Sequence, residues 1–164
     1  MGRKNQHRFH GGPQRFEVLA DFVADYFGNS VCYIADVAGG QRMLSRLLNK
    51  KFNYASEVID PRERGLRGVP RRASEFDPGM ADFYDLVIGL HPDEATRAVA
   101  RAALVRPVVI VPCCNFWSSE EKLGRDALVA AIADYYDRHA IAYEQVTFPF
   151  DSPKNIGLVS RPPQ

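Results

Sequence analysis

Long apolar runs are missing from this 164-residue chain. Nothing in it approaches the roughly 20 consecutive apolar residues that a membrane-spanning helix needs. The first residues, Met1 to Gly12, are basic and polar without an apolar core, which excludes a secretory signal there. Cysteine is scarce: Cys32, Cys113 and Cys114 are too few, and two of them too close in sequence, for a disulfide framework. Reduced thiols and a cytoplasmic location are therefore expected. Internal repeats and low-complexity tracts are absent as well, so no solenoid is expected.

What is present is an ordinary globular composition, 46% hydrophobic and 25% charged, with a net charge of +1. The charge is unevenly spread. Arg3, Lys4, Arg8 and Arg15 mark the start, and Arg62, Arg64, Arg67, Arg71 and Arg72 stand against Glu63 alone. The rest of the chain keeps 12 basic and 19 acidic residues, so the two basic segments predict an anionic partner such as RNA. A solvated tail and an internally anchored loop would explain them equally well.

Apolar spacing predicts alternating helices and strands. Phe16–Phe27 has a helical period, and Val31–Val37 reads as a buried strand ending in Ala38-Gly39-Gly40. Met43 to Asn49 is a helix, Tyr54–Ile59 a strand, Pro61 to Arg72 a loop and Ala73–Phe76 a brief edge strand. Asp85–Leu90 and Pro107–Val111 are strands around a helix over Pro92–Val105, and a further helix is expected from Ser118 to about His139. Ala142–Phe150 and Asn155–Ser160 are joined by only four residues, too few for a parallel crossover, so they must form an antiparallel hairpin. The expected architecture is a basic tail (1–15) and one doubly wound α/β domain (16–164), mostly parallel with a reversed C-terminal strand.

Asp36-Val37-Ala38-Gly39-Gly40 lies where a first strand gives way to a helix, and Asp60 follows at the end of the second strand. Small residues at such a turn let a ligand approach the backbone, and an acid at the second strand end suits ribose hydroxyls. A dinucleotide fingerprint would need G-x-G-x-x-G, of which only the middle glycine is matched. An acid followed by small residues at every second position fits a cofactor carrying a cationic amino group, whereas Asp36 would repel a pyrophosphate. S-adenosyl-L-methionine is the expected cofactor.

The combination of DVAGG, VIDPR, VIGLHPDEAT and VVIVPCCNFW resembles small class I Rossmann-like methyltransferases. It is more distantly similar to RNA methyltransferases with a His-containing and a Pro-Cys-Cys strand end. The resemblance implies a seven-stranded sheet of order 3-2-1-4-5-7-6. It carries Asp36, Ala38 and Gly40 onto the methionine part of the cofactor, Asp60 onto the ribose, and Glu75, Phe76 and Asp77 onto the adenine, with Gly39, Pro61 and Leu90 also expected at the cofactor. Arg42 departs from the pattern by replacing its third glycine.

In that order Leu90, His91 and Asp93 lie beside the methyl donor. His91 is the candidate general base, as its unperturbed pKa lies near ~6.5; Asp93 reads as a helix N-terminal acid. Asn115, with Phe116 and Trp117, is expected at the acceptor rim. Cys113 and Cys114 are read as strand neighbours that point to opposite faces, so no shared metal ion is expected and both are assigned to packing. RNA is the first acceptor expected, through Arg62, Arg64, Arg67, Arg71 and Arg72. A small molecule or protein acceptor is the alternative, and an inactive cofactor-binding module, favoured by Arg42, is a third reading.

Overall fold

The computed structural model of the chain describes residues 13–63 and 65–164. The tail Met1–Gly12 and Arg64, on which part of the charge expectation rests, lie outside these residues.

Seven strands form one sheet: β1 (Tyr33–Val37), β2 (Ala55–Ile59), β3 (Arg71–Arg72), β4 (Leu86–Leu90), β5 (Val108–Val111), β6 (Ala142–Thr147) and β7 (Ile156–Arg161). Their spatial order is 3-2-1-4-5-7-6, as expected. β3, β2, β1, β4 and β5 are parallel, and β7 runs antiparallel to both β5 and β6. The helices are α1 (Gln14–Phe27), α2 (Met43–Phe52), α3 (Thr96–Ala102) and α4 (Arg125–Arg138).

The central strands β4 and β5 are apolar on both faces because both faces are covered. Ile34, Leu86, Ile88 and Val109 pack with Leu19 and Val23 of α1 and Leu44 and Leu48 of α2. Ala35, Val87, Val108 and Ile110 join Val99 of α3 and Leu128 and Ile132 of α4 on the other side. This alternation of neighbours along each strand is the period-2 signature of a pleated chain. No helix among the described residues is long and apolar enough to cross a membrane.

Three expectations need correction. The edge strand is Arg71–Arg72 instead of Ala73–Phe76: Val58 N–H and Asp60 N–H reach the carbonyls of Pro70 (3.0 Å) and Arg72 (3.2 Å), and the chain then turns on a Ser74 N–H to Arg72 carbonyl bond. The helix expected from Ser118 begins only at Arg125. Ser118 Oγ does accept the N–H groups of Glu120 and Glu121, but the Asn115 amide takes the carbonyls of Ser118 and Glu121 and holds the segment as a loop. The segment expected as one helix over Pro92–Val105 opens with a 3-10 turn, Asp93–Ala95, and α3 ends at Ala102.

The arginine-rich loop after β2 folds back over the turn after β1. Leu66 N–H donates to the Gln41 carbonyl (3.1 Å), and the Arg42 guanidinium donates to the Leu66 carbonyl (3.1 Å). Gly65 sits at φ 116, and a Cβ there would lie 2.7 Å from the Gly40 carbonyl oxygen, so only glycine fits this crossing. Arg42 itself is left-handed (φ 65), which costs a non-glycine residue roughly 1–2 kcal/mol; its bond to Leu66 offsets part of that.

Candidate active site

The carboxyl ends of β1, β2 and β4 open onto two adjoining cavities, where parallel α/β sheets place their ligands. The first, of about 250 Å³, is lined by Arg15, Asp36, Gly39, Gly40, Leu90 and His91 among others. The second, of about 530 Å³, is lined by Asp60, Pro61, Glu75, Phe76, Ala95 and Phe116 among others. Ala38, Arg62 and Asp93 border both. Residues assigned from sequence to the methionine end thus line the first cavity, and Asp60, Pro61, Glu75 and Phe76, assigned to ribose and adenine, line the second, whereas Asp77 lines neither.

Asp36 is 1% exposed and lies beneath the glycine turn. Ser45 Oγ donates to its Oδ2 (2.9 Å) and shares a 2.8 Å bond with the Ser56 hydroxyl. Burial pushes the Asp36 carboxyl up to about 7, outweighing the downward pull of the Ser45 bonds. A Cβ at Gly39 would meet the Asp36 carboxyl carbon and both oxygens at 2.7 Å, so the buried carboxyl would have to move away from its Ser45 bond. Gly39→Ala is therefore expected to lower stability by about 1–2 kcal/mol through overpacking, with a fall in Tm of roughly 2–6 °C. Gly40 has open space around its Cα, but its left-handed φ of 45 gives Gly40→Ala a backbone cost of roughly 1–2 kcal/mol. Thermal melts check both variants; an unchanged Tm in Gly39→Ala would contradict the packing described.

Asp60 is also 1% exposed, and its two oxygens receive four donors. Oδ1 accepts Arg62 N–H and Nε (both 2.9 Å), and Oδ2 accepts an Arg62 terminal nitrogen (2.8 Å) and Gly40 N–H (3.1 Å). Burial pushes the Asp60 carboxyl up, but the combined bonds from Arg62 and Gly40 win and hold it below its ordinary range. The acid assigned to ribose is thus ionised and already engaged by Arg62, a partner two residues away that the sequence places among the RNA-contacting arginines.

His91 follows β4 with a left-handed backbone (φ 52), and Asp93 repeats that conformation (φ 49). His91 Nε2 lies 2.9 Å from the Lys154 carbonyl. A carbonyl only accepts, so Nε2 carries the proton and Nδ1 keeps its lone pair. Burial lowers the His91 pKa more than the Lys154 bond raises it, with Arg15 adding to the fall, so the ring stays neutral at neutral pH.

Other candidates sit elsewhere. Asn115 lines neither cavity; its amide is spent within its own loop, on Ser118, Glu121 and the N–H groups of Trp117 and Ser118. Asp77 is exposed and caps the 3-10 turn Pro78–Phe83 through Gly79 N–H. Trp117 lies under Arg97 and against Tyr135, leaving Phe116, 42% exposed, as the aromatic of that group on a cavity. Arg15, assigned to the tail, belongs to α1 and lines the first cavity, its guanidinium over the Phe16 ring and its buried Nε without a hydrogen-bond partner.

The cysteines also depart from expectation. β5 ends at Val111, so strand alternation does not apply to Cys113 and Cys114. Instead of diverging, the two sulfurs and an Asp93 carboxylate oxygen lie within 4.8 Å of one another. Cys113 Sγ donates to Asp93 Oδ1 at 2.9 Å, and burial together with that bond pushes its pKa up to about 12.

No family model matches this sequence, and no curated protein matches it. Solved structures do match the fold. A sugar N-methyltransferase from a Streptoalloteichus species superposes with a TM-score of 0.57 at 15% identity, over 100% of this chain and 98% of that one. A 1,6-didemethyltoxoflavin N1-methyltransferase from Burkholderia thailandensis, solved with its substrate and S-adenosylhomocysteine, gives 0.56 at 14% identity, over 91% and 78%. A protein named as an rRNA methylase from Clostridium thermocellum gives 0.54 at 10% identity, over 93% and 96%. The fold is that of class I methyltransferases.

Proposed function

We propose that this protein is an S-adenosylmethionine-dependent methyltransferase acting on a small acceptor. The observation that carries this reading is the pair of buried carboxylates, Asp36 and Asp60, bracketing the Ala38-Gly39-Gly40 turn of this fold. The residues suit the cofactor chemically. Asp36 offers a carboxylate that a cationic amino group would keep ionised, and Asp60 offers two acceptor oxygens for hydroxyls once Arg62 gives them up. Glu75 and Phe76 would flank the adenine.

When bound, the cofactor supplies an electrophilic methyl group on a sulfonium. The chain's part is to position the acceptor, exclude water and take its proton. His91 is suited to the last task, with its proton fixed on Nε2 and Nδ1 free to accept. Arg15 supplies a desolvated cation at the same cavity, which favours an acceptor bearing an acidic group.

A small acceptor is preferred to RNA because the arginine loop is largely engaged with the chain's own acids. Arg62 pairs with Asp60, Arg71 approaches Glu63 at 4.0 Å, and Arg72 bonds Glu57 at 3.3 Å. RNA is the second reading, favoured by exposed Arg67 and the basic tail.

Calorimetry is expected to show that the protein binds S-adenosylhomocysteine more tightly than NAD, and that Asp36→Ala weakens it. With an acceptor found by methyl transfer into pooled small acids, His91→Gln should lower turnover about a hundredfold and leave cofactor affinity unchanged. Tighter NAD binding would overturn the cofactor. Salt-sensitive binding of bulk tRNA, without methylation of small acids, would move the acceptor to RNA.

A further inference from the structure

From the geometry at the ends of β4 and β5 we infer that Asp93, Cys113 and Cys114 form a binding site for zinc or a similarly thiophilic divalent cation. One carboxylate oxygen and two sulfurs lie within 4.8 Å of one another. Zinc bonds of about 2.3 Å to sulfur and about 2.0–2.2 Å to oxygen set tetrahedral ligand separations of roughly 3.5–3.8 Å. The wider separations therefore need to contract by about 1 Å at most, and the 2.9 Å Cys113–Asp93 pair to open by roughly 0.6–0.9 Å, both within the reach of side-chain rotation. Cys113 Sγ and Asp93 Oδ1, at 2.9 Å and sharing a proton, would exchange that proton for the metal.

Charge supports the assignment. Two thiolates and a carboxylate bring three negative charges, and a divalent cation leaves one. Lys154 Nζ, 3.4 Å from Cys114 Sγ, neutralises it and can remain as a hydrogen-bond donor to the bound sulfur. The carboxylate is also available, because Asp93 does not spend it on capping: the turn there is closed by Thr96 Oγ1 on the Asp93 backbone carbonyl (2.6 Å).

The mixed donor set selects the ion. Two thiolates favour zinc and cadmium over magnesium or calcium, which take oxygen ligands. Three protein ligands leave the fourth tetrahedral position open, the arrangement of a reactive rather than a purely structural zinc site. Cys114 is exposed, so that position is reachable from solvent, and Asp93 borders both cavities of the proposed methyl-transfer site. A water or a soft atom of the acceptor would complete the coordination there. The site itself does not depend on the methyltransferase reading, since its ligands and its test are separate.

Tag-free, fully reduced full-length protein, stripped with a chelator, is titrated with zinc by calorimetry and with cadmium by thiolate-to-metal charge-transfer absorption. One ion per chain is expected. Cys113→Ser and Cys114→Ser should each weaken zinc at least a hundredfold and halve the cadmium–sulfur absorption. Asp93→Asn, which keeps both thiols, should weaken zinc about tenfold with the full absorption retained. Cys32→Ser, on the far side of the sheet's first strand, should change neither. Circular dichroism and thermal melts confirm that each variant is folded; Asp93→Asn carries the test if a cysteine variant is not. Absence of stoichiometric zinc, unchanged affinity in Asp93→Asn, or loss of cadmium absorption in Cys32→Ser would overturn the site.

Discussion

Replacing Arg62 with alanine is expected to tighten S-adenosylhomocysteine binding about tenfold, while Asp60→Ala weakens it by roughly ten- to a hundredfold. The opposite signs follow from one contact. Asp60 receives three of its four donors from Arg62, through the backbone N–H, Nε and a terminal nitrogen. A ribose that binds Asp60 must displace the side-chain donors first, so the protein's own arginine competes with the cofactor. Removing the guanidinium leaves a buried carboxylate held by two backbone donors, the N–H groups of residues 40 and 62, and the ligand's hydroxyls then bind without that competition. Deleting the carboxylate removes the charge-assisted acceptor altogether. Calorimetry on both variants checks the pair; weaker binding in Arg62→Ala would mean that the guanidinium contacts the ligand instead of guarding its site.

The second large effect concerns stability and pH. The Asp36 carboxyl is raised by burial from the ordinary carboxylate range to about 7. A raised acid favours folding while it is protonated, and that contribution is lost as pH climbs from the ordinary range through about 7. Asp36→Asn should therefore be more stable than the parent at roughly pH 8, by on the order of 3 kcal/mol, and the difference should shrink toward acid. Urea unfolding across that window tests it; a variant that is less stable at alkaline pH would show that the Ser45 bond, not burial, governs the site. The same variant should bind the cofactor poorly, which ties a cost in stability to a ligand-binding group.

The sequence was most informative where burial decides conformation. β1, β4 and β5 are short apolar runs that can only be interior strands, and the four-residue link Asp151–Lys154 forces the closing hairpin. The acids Asp36 and Asp60 were legible because each ends a strand at a fixed place in the topology. Polar loops were less so, because tertiary hydrogen bonds choose among many local options. Ser118-Ser119-Glu120-Glu121 has good helix-start chemistry, yet Asn115 captures two of its carbonyls. The i to i+2 pairing of Asp60 with Arg62 was within reach of the sequence, as a short acid–arginine spacing at a strand end. The meeting of Asp93 with Cys113 and Cys114 was not, because extending strand alternation past Val111 places the two sulfurs on opposite faces.

The loop that returns from β2 across the glycine turn has a kinetic consequence. Leu66 and Gln41 share a hydrogen bond, Arg42 holds Leu66, and Gly65 rests on Gly40, so neither segment can lift without the other. The two behave as one cooperative opening unit, and the amides of Gly40, Arg62 and Leu66 should exchange with solvent as a group.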